Sequence, residues 1–321
     1  MENPKFKYQP RVLASSDVDI RYKGTSGGVI SQIIKYLFEY NKINSALSMK
    51  YSGIKLFDPI LIYTYEDYEN TGSVYHEINI YKYLKENIEN IKSPILITCL
   101  PCQVLPIRRL LDKNNIDSTI ISLFCSNQLE KEATYYFLKK NNIDIDEVID
   151  FRYRGNGWPS GMQIKTIKNQ YFFNNNTSKW ADVFHSQIFT LNRCFSCKDT
   201  FGINADLSVG DPWLYRYTKY DNIGSSIVIT HNDRGENLIK NMYANGTLLL
   251  IENLASNDVL LSQKKTLIKK HIFRKYRKTL SFLRKIINSR YYKKYFFYFC
   301  KVHNYMLLIF IRILKKIEGI K

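Results

Sequence analysis

Six cysteines in 321 residues are too few to hold a chain of this length as a disulfide framework, so a disulfide scaffold is excluded. Histidine is scarcer still. His76, His185, His231, His271 and His303 are scattered without ligand spacing, and no catalytic acid or base can be picked from them. No apolar run is long enough for a membrane span: Tyr305 to Leu314 covers ten residues, and Lys301, His303 and Arg312 interrupt the region. No internal repeat, low-complexity linker or heptad series of coiled-coil length is present. An apolar signal region is missing too, since Met1 to Pro10 is polar and lysine-containing; a reducing cytoplasm is therefore expected, where paired cysteines read as metal or redox groups. Acid is nearly absent from one end. Residues 264–321 hold 18 Lys plus Arg against the single acid Glu318, so +17 of the net +18 sits there and the preceding 263 residues are almost neutral.

What is present reads as an α/β body over residues 1–257 and a basic helical tail over 258–321. Val12-Leu13-Ala14 predicts a strand. The turn Ser26-Gly27-Gly28 then opens an amphipathic helix whose apolar positions are Val29, Ile30, Ile33, Ile34, Leu37 and Phe38. Ser45–Met49 and Pro59–Tyr63 read as strands, and Gly72-Ser73-Val74-Tyr75 as a turn before a helix of about fifteen residues ending near Asn90. Pro94–Thr98 and Thr119–Phe124 are continuous apolar runs, the mark of strands buried on both faces. Between them lies a helix carrying Leu105, Leu110 and Leu111 with Pro106 in its first turn, and a second helix runs from about Leu129 to Lys140. This alternation predicts a mostly parallel or mixed sheet with flanking helices, in which ligands gather at the carboxyl ends of strands. Cys102 and Cys125 fall at two such ends. Further on, Val148–Arg154 reads as a strand, 162–173 as a hairpin, the 180s as a helix, Ser225–Thr230 and Thr247–Ile251 as strands, and Gly235–Tyr243 as a helix.

Three groups of residues carry the chemistry. Free N–H groups at the Ser26-Gly27-Gly28 turn, with Arg21 and Lys23 close by, suit an anion such as a phosphate; a plain helix cap is the alternative. Arg193-Cys194-Phe195-Ser196-Cys197 is a Cys-x-x-Cys clip flanked by cations, Arg193 and Lys198, that favour thiolate. Two ligand sets compete for it. Cys99 and Cys102 with Cys194 and Cys197 would make a structural four-cysteine zinc site. Cys102, Cys125, Cys194 and Cys197 would serve a [4Fe–4S] cluster, which the placement of Cys102 at a helix start favours. Arg152, Arg154 and Asp211 are candidate contacts to a bound group, or ordinary ion pairs. Cys300 is expected to be a passive thiol.

The order of Ser26-Gly27-Gly28, Gly72-Ser73-Val74-Tyr75, Pro101-Cys102-Gln103, Cys125, Phe151-Arg152 with Gly157-Trp158, the Cys194 clip and Ala205-Asp206 to Gly210-Asp211 resembles the coenzyme F420-reducing hydrogenase/dehydrogenase beta-subunit family over about residues 10–265. The resemblance implies an iron–sulfur flavoprotein oxidoreductase passing electrons between a cluster, FAD and a redox partner protein or small-molecule substrate. It implies cluster ligation by Cys102, Cys125, Cys194 and Cys197, and it makes Ser26, Gly27, Gly28, Gln103, Arg152 and Asp211 the candidates for cofactor contact. Val74 stands where the family has Lys, Cys99 where it has Gly, and Cys125-Ser126-Asn127 where it often has Cys-His-Gly. These departures weaken the case for coenzyme F420 more than for the fold. Members of this type also occur among polysaccharide-biosynthesis genes, which suggests cell-surface glycan assembly as a setting. The alternative class is a non-redox glycan-assembly transferase or accessory protein with the zinc site. The tail, with Tyr276, Leu280, Leu283 and Ile287 at helical spacing and aromatics at Tyr291, Tyr292 and Tyr295, predicts a basic amphipathic helix on the anionic inner face of the cell membrane; helices with a solvated basic face that pack against the body or a partner are the alternative, and no nucleic-acid-binding motif accompanies the tail.

Overall fold

The computed structural model describes residues 6–175, 177–278 and 296–317. In chain order the strands are β1 (Arg11–Ser15), β2 (Ser45–Tyr51), β3 (Phe57–Ile62), β4 (Ile95–Cys99), β5 (Ser118–Leu123), β6 (Val148–Arg152), β7 (Gly161–Thr166), β8 (Gln170–Asn174), β9 (Leu207–Gly210), β10 (Ser226–Thr230) and β11 (Leu248–Asn253). The helices are α1 (Val18–Lys23), α2 (Val29–Glu39), α3 (Ile80–Glu86), α4 (Pro101–Lys113), α5 (Glu132–Lys140), α6 (Lys179–Ser186), α7 (Tyr215–Tyr220), α8 (Asp233–Ala244), α9 (Ser256–Ser262), α10 (Lys264–Lys275) and α11 (Phe296–Ile317).

Eight strands form one mixed sheet in the order β11-β1-β10-β9-β5-β4-β2-β3. Its centre is parallel, β2 with β4, β4 with β5 and β5 with β9, and the outer pairs are antiparallel. The expected α/β class with a mixed sheet and flanking helices is what the chain adopts. The apolar runs of the central strands follow from burial on both faces. Leu96 and Ile121 face one core with Val29, Ile33 and Leu37 of α2. Ile95, Ile97 and Ile120 face the other with Val104, Ile107 and Leu111 of α4. Truncating any of these to alanine costs about 2–5 kcal/mol. A second sheet, β6-β7-β8, is antiparallel and packs with α5 and α6 around Phe137, Tyr153 and Trp180.

Arg11 grips Glu236 at 2.6 and 2.9 Å and Thr230 donates to it at 2.7 Å, which ties α8 to β1 and β10. The Arg11 hydrogen bond holds this carboxyl down at about 2. The tie is therefore complete above the ordinary carboxylate value and is lost as pH falls toward 2.

Two expectations change. The helix expected after Gly72 covers only Ile80–Glu86 before a short turn at Ile88–Asn90. Residues 73–78 run extended instead, because Leu129 N–H donates to Tyr75 O and Glu77 N–H donates to Leu129 O. The stripe of α4 is Val104, Ile107 and Leu111, with Leu105 exposed, and Pro106 lies past the first turn because the helix already begins at Pro101.

The tail is not set apart from the body. The end of α10 and the residues just past it cover the clip: Lys270 donates to Cys197 Sγ at 3.3 Å, Phe273 meets Phe195 with ring centroids 5.1 Å apart, and Arg277, beyond the helix, donates to Ser196 at 2.9 Å. Helix α11 lies on α6 and buries Cys300, Leu307 and Leu314. Cys300 is a core thiol packed with Phe137 and Trp180, and burial pushes it up to about 12. Leu280, Leu283, Ile287, Tyr291, Tyr292 and Tyr295 lie outside the described residues.

Candidate functional site

A cavity of about 1180 Å³ opens along the carboxyl ends of β2, β4, β5 and β9 and the start of β10. That volume exceeds the usual range for small-ligand pockets, roughly 300–1,000 Å³. Ser26, Gly28, Gln103, Cys125 and Asp211 line it, whereas Gly27 and Arg152 do not.

The glycine turn supplies one wall. Gly28 is the cap of α2 with φ +70°, no side chain caps the helix, and Gly28, Val29, Ile30 and Ser31 all face the cavity. Its first N–H groups thus present a partial positive charge to whatever sits there. Ser26 is held by its hydroxyl, which donates to Ser225 O at 2.7 Å. Gly27 has a different task. Its N–H donates to Ser226 Oγ, and a Cβ there would stand 2.7 Å from Leu13 O and 2.8 Å from Ser226 N. It is the residue that lets the turn press onto β1 and β10.

The cysteines lie along a second side, where Cys99 and Cys125 reach the cavity lining and Cys102, Cys194 and Cys197 stand behind it. β4 ends at Cys99, which is buried in the sheet core, and Cys102 follows in the first turn of α4 as an exposed residue whose thiol is partly covered. Cys125 lies just beyond β5, its N–H bonded to Thr200 O at 3.0 Å. Cys194 lies within a 3-10 turn, Asn192–Ser196, and Cys197 caps its end. The thiols of Cys102, Cys125, Cys194 and Cys197 lie within electrostatic reach of one another, and of these four it is Cys102 that acts on Cys99. Gln128 N–H points at Cys194 Sγ at 3.4 Å. Among the described residues no three His, Cys, Asp or Glu side chains gather tightly enough to hold a single metal ion.

The expected thiolate character does not arise in the protein alone. Burial pushes Cys125 up to about 12 and raises Cys102 and Cys194, and the facing thiols add to the rise at Cys102 and Cys125. The opposing cations are Arg193 and Lys270 rather than Lys198. Lys269 sits beside them, bonded to Asn127 at 2.7 Å, and burial brings it down to about 8. The Thr200 hydroxyl is buried without a partner in this corner. Converging thiols, donors aimed at sulfur and enclosed cations suit an anionic metal–thiolate group.

Arg154 and Asp211 form the third wall. Their paired hydrogen bonds are 2.8 and 3.0 Å, and Trp158 Nε1 donates to the same carboxylate at 2.9 Å. Arg154 is 3 % exposed and also donates to Thr25 O at 2.8 Å. Burial opposes its charge, yet Asp211 and Tyr75 outweigh that and raise its pKa. Its guanidinium lies 5.7 Å from the Trp213 ring. Arg152, in contrast, pins three loops by donating to Lys23 O, Asn156 Oδ1 and Asn70 O. Gln103 accepts from Leu100 N–H at 3.0 Å and donates to Ile78 O at 3.1 Å, so it caps α4 while facing the cavity.

Lys269 and Lys270 are the site residues the sequence reading missed. The signal that could have found Lys270 is its spacing, since it shares a helix face with Phe273.

Comparison with known proteins places this geometry. Residues 12–85 match the N-terminal part, and residues 93–254 the C-terminal part, of the coenzyme F420 hydrogenase/dehydrogenase beta subunit. The coenzyme F420-dependent sulfite reductase of Methanocaldococcus jannaschii is 25 % identical over 223 residues, 63 % of this chain. The chain spans about a third of that protein's length, 33 %. A chain of the F420-reducing [NiFe] hydrogenase complex from Methanosarcina barkeri shares the fold with a TM-score of 0.64 at 18 % identity, over 87 % of this chain and 96 % of its own length. The two matched segments together take in most of the body and all four facing cysteines, and the chain belongs to the coenzyme F420 hydrogenase/dehydrogenase beta-subunit family of oxidoreductase subunits.

Proposed function

We propose that this protein is an iron–sulfur flavoprotein oxidoreductase with a [4Fe–4S] cluster on Cys102, Cys125, Cys194 and Cys197 and FAD in the adjoining cavity. The observation that carries this reading is the convergence of the four thiols beside a cavity that one uncapped helix start faces. The placement of Cys102 and Cys125 just past β4 and β5, with Cys99 left in the sheet core, supports this four-cysteine set over the one that uses Cys99. When bound, the two groups would supply one- and two-electron transfer. The chain's own part is positional. Gln128 N–H and the Lys270 ammonium orient Cys194 and Cys197. The start of α2 offers N–H groups to the flavin phosphates. Arg154 and Asp211 hold Thr25 and Trp158 against the cavity. Phe273 on Phe195 keeps water from the clip.

Cys102, exposed where Cys194 is buried, marks the side on which a redox partner would approach. Val74 in the cavity wall carries no charge to meet an anionic deazaflavin, which supports a donor other than coenzyme F420. Cell-surface polysaccharide assembly is the setting we assign, supported by the family resemblance and the basic tail. Anaerobic purification tests the reading: iron and acid-labile sulfide in equal amounts, together with FAD, are expected. A colourless protein holding zinc would overturn it.

A further inference from the structure

Helix α11 has two working faces. Its inner face is committed: Leu307 packs with Phe195 and Phe273, Leu314 packs with Ile268 and Ile272, and Asn304, Leu308 and Ile311 wall the cavity. Its outer face is apolar where a solvated helix would be polar. Tyr298 is 66 % exposed, Tyr305 63 %, Met306 59 % and Ile313 50 %, with Val302 between them. These positions recur at helical spacing, and Lys301, Arg312 and Lys316 are exposed among them. Residues 296–317 contain no acid. Large apolar side chains flanked by cations of one sign, on a helix too charged to span, form the pattern of a helix lying in a bilayer interface. Among the described residues no helix is long and apolar enough to cross a membrane.

We propose that the outer face of α11 docks on an anionic lipid bilayer. Tyr298, Val302, Tyr305, Met306 and Ile313 enter the headgroup boundary, and Lys301, Arg312 and Lys316 meet lipid phosphates. The charge of residues 264–321, 18 cations against one acid, selects an anionic surface over a neutral one. Because the same helix walls the cavity from its other side, docking brings that wall to the membrane plane. A lipid-borne substrate would then have the shortest path to the site. The proposal goes beyond the redox reading and does not depend on it, since binding is read on the protein whatever its cofactor content.

The test is flotation of the full chain with phosphatidylserine–phosphatidylcholine vesicles and with phosphatidylcholine alone. Strong flotation is expected with the first and at least tenfold less with the second. Tyr305→Ser with Met306→Ser, and separately Arg312→Glu with Lys316→Glu, should each reduce binding at least tenfold at unchanged thermal unfolding temperature, because all four side chains are exposed. High salt should weaken the wild type partly and the serine variant almost completely. No flotation of the wild type, or flotation of both variants as strong as that of the wild type, would overturn the proposal. Retention on polyglutamate that only the charge-reversal pair abolishes, without flotation, would assign the face to an acidic protein and also overturn it.

Discussion

Helices α2 and α4 begin at the same end of one sheet and over one cavity, and their first turns are made of opposite materials. The start of α2 is backbone: Gly27 is pressed between strands, Gly28 is left-handed, and no side chain covers the N–H groups. The start of α4 is side chain: Pro101 opens it, Cys102 stands in its first turn within reach of the other thiols, and Gln103 folds back onto Leu100 N–H. The first offers donors to any anion of the right shape and tolerates no added atom. The second presents a chosen group, and its neighbours can change so long as that group stays. Shape governs one start and residue identity the other.

The contrast breaks most sharply at the thiols. Cys125→Ala should remove bound iron almost entirely, whereas Cys99→Ala should keep it, since Cys99 belongs to the sheet core. Iron retained in the first and lost in the second would dissolve the assignment. Next in size is Gly27→Ala. Its methyl would meet backbone at 2.7 and 2.8 Å, so a loss of about 3 kcal/mol in denaturant unfolding is expected. A variant as stable as wild type would mean the turn is not shape-limited. Lys270→Met should leave iron bound but lower the cluster's reduction potential, on the order of 59 mV for a tenfold weaker preference for the reduced form. Lys270→Arg should restore it, and equal potentials in redox titration would sink the role. The smallest effect belongs to Gln103→Ala, about 1 kcal/mol for a lost cap with flavin and iron unchanged. Flavin loss at unchanged stability would instead make Gln103 a cofactor contact.

Much of the layout is legible in the sequence because it follows from burial. The runs at 94–98 and 119–124 announce strands covered on both sides, and in such sheets the residues just past the strands face the ligand, which singles out Cys102 and Cys125. Pairings across the chain are not legible in the same way. Asp211 finds Arg154 rather than Arg152, because β6 stops at Arg152 and the chain turns before Arg154. Val74 and Ile78 mimic helical spacing, yet a distant residue, Leu129, draws that segment out straight. The net charge of the tail conceals the lysine that points inward, since a count of cations carries no direction.

That lysine sets the sign of charge a group at the clip would need to carry. Lys270 is 3 % exposed, and its ammonium faces Cys197 Sγ and Asp199 O. Sealing a cation beside neutral thiols is costly, and sealing it beside a negatively charged group is not. An anionic metal–thiolate group at the clip would therefore tighten α10 onto the body, and a neutral occupant would not.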